Sequence, residues 1–257
     1  MRRYPATSLG GSFGPGPLTP AVKALLIANG AMFLLMSVLR LISPTSAAYL
    51  FVYLGLNPSD VLEGWRVWQP ATYMFLHAGV FHLLFNMLAL WMFGVELERL
   101  WGTRLFTRYY ATTGIGAGLT MIVLALLPTA LGDRMYDTRT VGASGAIFGL
   151  LLAYGLQFPH RQIYMYFLFP IPAKYFVMIV GAISLYATMV DQDGGVAHAA
   201  HLGGLAVGYF YLKKGRMEFH PIAELKYRYL KWKINRLRRR FDVYSGGRAD
   251  DVDRRIH

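Results

Sequence analysis

The sequence predicts an all-α membrane protein, a bundle of six transmembrane helices. Apolar residues make up 55% of the 257-residue chain and charged residues only 16%. The mean hydropathy is positive, at +0.35. This composition is not that of an ordinary soluble domain, and the apolar residues gather in runs long enough to cross a bilayer.

Each predicted span is a mostly apolar run, because lipid offers no water to backbone polar groups and a helix pairs them internally. The six runs lie near residues 21–42, 80–97, 106–127, 143–158, 175–190 and 196–212. The first run is too long, and matches an A-x-A-like cleavage site too poorly, to be a signal peptide. We therefore expect it to remain as a spanning helix.

The segment between the first two runs, residues 43–79, is too long for a simple connector. It contains "EGWRVWQP", and its tryptophans Trp65 and Trp68 are expected to anchor it in the membrane interface. This segment is predicted to lie along the outer surface of the bilayer.

The fourth run is shorter than a bilayer core. From Ser144 to Phe158 it has 15 residues, about 22 Å of helix against a core of about 30 Å. The polar segment "GDRMYDTRTVG" precedes it. We expect this helix to begin below the outer surface, with Ser144 at the floor of a cavity open to the outside, because its first N–H groups need polar partners.

The distribution of the net charge of +12 indicates membrane topology rather than nucleic acid binding. Fourteen of the 26 Lys and Arg residues lie between Lys213 and Arg255. With a cytoplasmic N-terminus, 22 basic residues fall on the cytoplasmic side and four on the other side, which is the positive-inside bias. Both termini are therefore expected in the cytoplasm.

The basic tail contains "ELKYRYLKWKINRLRRRF", with Leu225, Tyr229 and Trp232 at helical spacing. This pattern favours an amphipathic helix on anionic lipid, and a solvated basic face is the alternative.

The chain has no Cys, so a thiol cannot be the nucleophile of any reaction that it catalyses.

Polar residues cluster at the predicted outer ends of three helices. His82 and Asn86 lie one turn apart on helix 2, Ser144 begins helix 4, and His198 and His201 share a face of helix 6. Taken singly, Ser144 is typical of close helix packing, and each histidine fits an interhelical hydrogen bond or a cation site. Three clusters at one depth predict a shared wet pocket.

These residues together match the needs of acyl transfer. Ser144 becomes a nucleophile when an imidazole accepts its proton, and either His201 or His198 could do so. His82, Asn86 and backbone N–H groups of helix 4 could stabilise an oxyanion. No Asp or Glu lies close by in the spans, which favours a Ser-His dyad over a triad, and "GASGA" lacks the G-x-S-x-G elbow of α/β-hydrolases.

Three motifs in this order resemble those of rhomboid intramembrane serine proteases: "HAGVFHLLFNM", "GASGAIFGLL" and "AHLGGLAVG" on helices 2, 4 and 6. The resemblance covers about residues 21–213 and includes "WRVWQPATYMFLH" and "ELERLWG". It implies a six-helix rhomboid-like bundle with a buried polar active site open to the non-cytoplasmic side. Phe148 stands where some relatives carry Tyr, and its ring is expected to pack against His201.

The resemblance implies a serine endopeptidase that cleaves transmembrane segments of other membrane proteins. Ser144 would be the nucleophile and His201 the base, with His82, Asn86 and the Ser144 N–H in the oxyanion hole, while His198 would line the cavity. It implies no cofactor and no metal. Substrates would enter past helix 5 and a mobile loop at residues 191–197, "DQDGGVA". The alternatives are a non-catalytic substrate-binding relative, which would typically lack one dyad member, and a transporter or channel.

The expected organisation is a flexible cytoplasmic arm (1–20), the six-helix domain (21–213) and a basic cytoplasmic tail (214–257). The expected partners are transmembrane protein substrates, the lipid bilayer and, at the tail, anionic lipid, with no nucleic acid. A short arm without a visible transit segment suits a multi-pass protein of a bacterial plasma membrane best.

Overall fold

A computed structural model describes residues 15–165, 169–190 and 195–216. The chain divides into two compact units, Met1–Leu212 and Lys213–His257. Nearly all of the second unit, including the predicted amphipathic helix, lies outside the described residues, as does most of the predicted N-terminal arm.

The described part of the chain is mainly helical. Its elements are α1 (Pro20–Ile42), α2 (Pro44–Leu54), α3 (Pro58–Leu62), α4 (Gln69–Thr72), a 3-10 turn (Tyr73–Phe75), α5 (Val80–Trp101), α6 (Thr103–Ala125), α7 (Ala130–Tyr136), α8 (Ser144–Gln157), β1 (Gln162–Met165), β2 (Phe169–Pro172), α9 (Ala173–Val190) and α10 (Gly195–Arg216). Helices α1, α5, α6, α8, α9 and α10 lie at the six predicted runs.

Three helices in the described residues are long and apolar enough to cross a membrane: Pro20–Ile42, Val80–Trp101 and Ala173–Val190. Ser144–Gln157 is a shorter apolar helix, as the sequence predicts for the fourth run. The count of six spans stays a prediction, because α6 and α10 are more polar than these three.

The fold is mostly helical, as predicted, and it includes a short hairpin that an all-α prediction does not contain. Strands β1 and β2 pair antiparallel between α8 and α9, with Ile163 opposite Ile171. Proline stands at positions 170 and 172. Proline removes a helical N–H and holds the preceding residue in an extended conformation, so the apolar run becomes a strand and α9 begins only after Pro172.

The segment between α1 and α5, residues 43–79, folds into short helices rather than an open loop. Trp68 donates its indole N–H to the Tyr53 carbonyl at 2.9 Å and packs against the Tyr53 ring, whereas Trp65 is 77% exposed.

The predicted loop 191–197 is shorter than expected. Its residues 195–197 already belong to α10, and 191–194 lie outside the described residues.

Glu98 near the end of α5 caps the start of α1. Its carboxylate accepts hydrogen bonds from the Ala21 and Val22 N–H groups at 2.9 and 3.0 Å, and from the Thr19 and Thr103 hydroxyls. The N–H groups of a helix's first turn have no intrahelical partner, and a carboxylate there also suits the helix dipole. This buried contact fixes α1 against α5.

The small residues of α8 and α10 allow these two helices to touch. A Cβ on Gly204 would lie 2.0 Å from the Gly145 carbonyl oxygen, so only glycine fits at position 204. Most of α8 is buried, whereas α9 leaves Met178, Tyr186 and Met189 about two-thirds or more exposed, at 67%, 68% and 72%. Helix α8 is therefore central, and α9 has the exposed apolar surface of a lipid-facing helix.

Candidate active site

Ser144 and His201 form the centre of the site. Ser144 is the first residue of α8, and its Oγ lies 2.9 Å from His201 Nε2 on α10. The contact between Gly145 and Gly204 lies beside this pair, one residue after Ser144 and three after His201. The close approach of α8 and α10 therefore sets the distance between the hydroxyl and the imidazole.

A second ring fixes the orientation of His201. Phe148 stacks face to face on it, with ring centroids 4.1 Å apart and planes at 9°. Phe148 is one turn after Ser144, so a single helix carries both the hydroxyl and the stacking ring. This is the packing that the sequence predicts for Phe148.

His201 Nδ1 is buried and has no hydrogen-bond partner among the described residues. When the Ser144 hydroxyl donates its hydrogen bond to Nε2, the ring hydrogen of the neutral imidazole is on Nδ1. No described carboxylate reaches that nitrogen, so the arrangement is a pair of residues rather than a Ser-His-acid triad.

His198 does not share the hydrogen bond to Ser144. Its ring meets the His201 ring edge-on, with centroids 5.3 Å apart and planes at 87°. Of the two imidazoles that the residues alone left open, His201 is the one within hydrogen-bond reach of the hydroxyl.

Gly142 brings His82 close to Ser144. Its φ of +125° is a conformation that L side chains rarely adopt, and a Cβ there would lie 2.7 Å from His82 Nε2 and 3.8 Å from Ser144 Oγ. The Ala78 N–H donates to His82 Nδ1 at 3.4 Å, which leaves the ring hydrogen on Nε2. An N–H donor therefore faces the space beside the Ser144 hydroxyl.

Asn86 lies one turn after His82 and is 6% exposed. Its Nδ2 donates to the His82 carbonyl at 2.8 Å, within α5. An amide nitrogen carries two hydrogens, so this bond leaves one for another acceptor. The bond lies within one helix and does not join two helices.

His77 was not assigned a role by the sequence, although it stands in the first motif. It is 5% exposed, and its ring lies edge-on to His82, with centroids 5.1 Å apart. The spacing of five residues between His77 and His82 is not a helical period, and the turn before α5 brings the rings together. His77 is part of the wall behind His82.

A network of charged side chains joins the segment between α1 and α5 to the segment between α6 and α8. Asp60 accepts hydrogen bonds from Arg139 at 2.7 Å and Arg66 at 3.0 Å. Partial burial acts to raise the pKa of Asp60, but hydrogen bonds from Arg139 and Gln69 and the charges of Arg139 and Arg66 outweigh it. The pKa of Asp60 therefore lies below its ordinary value of 3.8.

Comparison with known proteins identifies the family. The rhomboid domain model matches residues 64–216, more than half of the chain. The chain belongs to the rhomboid family. As a rhomboid with long apolar helices, it is an integral membrane protein, and the matched range contains Ser144, His201, His82 and Asn86. Across the described residues, no group of three or more His, Cys, Asp or Glu could hold a metal ion.

Several curated proteins are similar to this rhomboid. Rhomboid protein 1, mitochondrial, of Saccharomyces cerevisiae is 34% identical over 138 residues, 53% of this chain and 38% of that protein. Rhomboid protease GluP of Bacillus subtilis is 31% identical over 161 residues, 62% of this chain and 28% of that protein. RHOMBOID-like protein 12, mitochondrial, of Arabidopsis thaliana is 27% identical over 172 residues, 62% of this chain and 51% of that protein. The chain thus spans less than two thirds of the length of each.

Proposed function

We propose that this protein is an intramembrane serine endopeptidase that cleaves transmembrane segments of other membrane proteins. The observation that carries the proposal is the 2.9 Å contact between Ser144 Oγ and His201 Nε2 at the start of a short apolar helix. A hydroxyl within hydrogen-bond reach of a neutral imidazole is the arrangement that activates serine for acyl transfer.

The proposed reaction has two steps. Ser144 Oγ attacks the carbonyl carbon of the scissile peptide bond while His201 Nε2 takes the hydroxyl proton. The tetrahedral intermediate then collapses, the C–N bond breaks, and His201 gives its proton to the leaving amine. Water attacks the resulting ester with His201 again as base, which releases the acid product and restores the serine.

The negative charge on the oxygen of the tetrahedral intermediate must be stabilised by hydrogen-bond donors. The His82 Nε2–H points to the space beside Ser144, Asn86 has an amide hydrogen left, and the Ser144 N–H is one of the unpaired donors of the first turn of α8. We assign the oxyanion to these three groups. In a site removed from bulk water such donors are worth more than on a surface.

The proposed site opens to the non-cytoplasmic side, with six spans and both termini in the cytoplasm. Helix α8 has 14 residues, about 21 Å of helix, so Ser144 would lie well below the outer surface. Substrates would enter laterally past α9, which packs against α8 and the hairpin and leaves its outer face exposed. Segments with Gly or Pro should be favoured, because a helical carbonyl is already hydrogen-bonded. A bacterial plasma membrane stays a prediction.

The test is cleavage of a model transmembrane substrate carrying Gly or Pro near its outer end, by protein in liposomes. Ser144→Ala and His201→Ala should each abolish cleavage while the protein still purifies folded. Ser37→Ala, which removes a hydroxyl from α1, should cleave as the wild type does, and His198→Ala should retain measurable activity. Cleavage near the wild-type rate by Ser144→Ala would contradict the proposal, and activity in His201→Ala with none in His198→Ala would reassign the base.

A further inference from the structure

The backbone that leads into Ser144 is tied to the outer segment between α1 and α5. Leu56 and Thr140 exchange two backbone hydrogen bonds, at 3.0 and 2.8 Å, and the Gly142 N–H donates to the Tyr73 carbonyl at 2.9 Å. Thr140 and Gly142 come four and two residues before Ser144. The position of Ser144 therefore depends on how the segment between α1 and α5 holds residues 140–142.

Arg139 lies directly before Thr140, and its side chain makes three hydrogen bonds. One guanidinium nitrogen donates to the Val52 and Gly55 carbonyls at 2.8 and 2.9 Å, and another donates to Asp60 at 2.7 Å. Val52 and Gly55 lie at the C-terminal end of α2, where carbonyls lack helical partners and a cation suits the helix dipole. The planar fork of arginine fits all three acceptors at once.

The carboxylate that receives Arg139 is itself fixed. Asp60 also accepts from Arg66 at 3.0 Å and from Gln69 at 3.4 Å. Gln69 is fully buried and accepts a hydrogen bond from the Asn57 N–H at 3.0 Å. Arg139 is thus attached to an ordered part of the outer segment, and its own side chain is only 18% exposed.

We infer that Arg139 is a positioning residue for the reaction of Ser144. It holds the segment 139–143, which contains Gly142, and Gly142 sets the gap between Ser144 Oγ and His82 Nε2, where a Cβ would already lie within 2.7 Å of that nitrogen. Only four residues separate Arg139 from Ser144, so release of the guanidinium lets this segment shift and widens the gap between nucleophile and donor. This inference rests on the proposed serine protease function and adds an outer-loop residue to it.

The test is the rate at which a fluorophosphonate labels Ser144 in the folded, full-length protein. Labelling needs the nucleophile, the base and the oxyanion donors, but not entry of a transmembrane substrate. Arg139→Ala should slow labelling by about tenfold or more, since a displacement near 1 Å can cost about a hundredfold. Arg139→Lys and Asp60→Asn should give intermediate rates, because each keeps part of the hydrogen-bond set. The matched control is Arg134→Ala, an exposed arginine of the same connection between α6 and α8, which should label as the wild type does.

Each outcome decides a separate question. Labelling of Arg139→Ala within twofold of the wild type, with a lowered melting temperature, would overturn the inference and leave Arg139 as a purely structural residue. If that variant does not fold, Arg139→Lys and Asp60→Asn replace it, and wild-type labelling rates in both would overturn the inference. Labelling of Ser144→Ala at the wild-type rate would instead reject the proposed function itself.

Discussion

Gly142→Ala is the substitution for which the structure allows the clearest estimate of the effect. The new methyl would lie 2.7 Å from His82 Nε2 and 2.8 Å from its Cε1, whereas non-bonded heavy atoms prefer about 3.5 Å or more. The ring must therefore retreat by nearly 1 Å. The φ of +125° adds backbone strain of about 1–3 kcal/mol.

Both effects act on the proposed oxyanion donor. In other enzymes, loss of one oxyanion donor lowers kcat by about 10²–10³-fold. In Gly142→Ala kcat should therefore fall by about a hundredfold or more, with a smaller change in KM. The assay is steady-state cleavage of a transmembrane substrate, with the melting temperature measured in parallel. Gly30→Ala on α1 is the matched control, since a Cβ there meets nothing within 4 Å, and its kcat should be unchanged. A kcat of Gly142→Ala within threefold of the wild type would refute the placement of His82 at the oxyanion.

Three further changes test other contacts of the site. Asn86→Ala should lower kcat by about a hundredfold with little loss of melting temperature, and a much lower melting temperature with near-normal kcat would make Asn86 structural. Phe148→Leu keeps apolar volume but loses the ring stacked on His201, worth about 0.5–1.5 kcal/mol, so cleavage should slow by about two- to tenfold, and an unchanged rate would show that stacking does not orient the imidazole. Folding lowers the pKa of Asp60, so its ionised carboxylate stabilises the folded protein. This contribution to the free energy of unfolding is complete above about pH 3.8 and is lost as the pH falls below that value. The stability difference between wild type and Asp60→Asn should therefore stay constant from neutral pH to about 5 and shrink in more acidic solution, and a difference that changes near pH 7 would point to another group.

The long helices were predictable because each coincides with an apolar run in the sequence. The hairpin at residues 162–172 lies between the fourth and fifth predicted runs, where no element was predicted from the sequence. Periodicity and hydropathy describe one element at a time, so an interrupted run between two helices gives no clear signal for pairing.

The residues of the site were predictable as types, but their geometry was not. Ser144 and His201 are 57 residues apart, and their distance depends on the contact of Gly204 with Gly145, which no local pattern specifies. The positive φ of Gly142 likewise occurs beside long-range backbone contacts, the bridge of Thr140 with Leu56 and the hydrogen bond of Gly142 to Tyr73, which no local pattern specifies. The attachment of Arg139 to Asp60, 79 residues away in the chain, joins two polar connecting segments in which hydrophobic periodicity gives no information.

Mapping of the fluorophosphonate adduct by mass spectrometry tests the central claim most directly. The account predicts one adduct per folded molecule, on the Ser144 side chain, and its loss in both Ser144→Ala and His201→Ala. Ser37 in α1 serves as an internal control and should remain unmodified. An adduct on another serine, or full labelling of Ser144 in His201→Ala, would contradict the assignment of Ser144 and His201 as nucleophile and base.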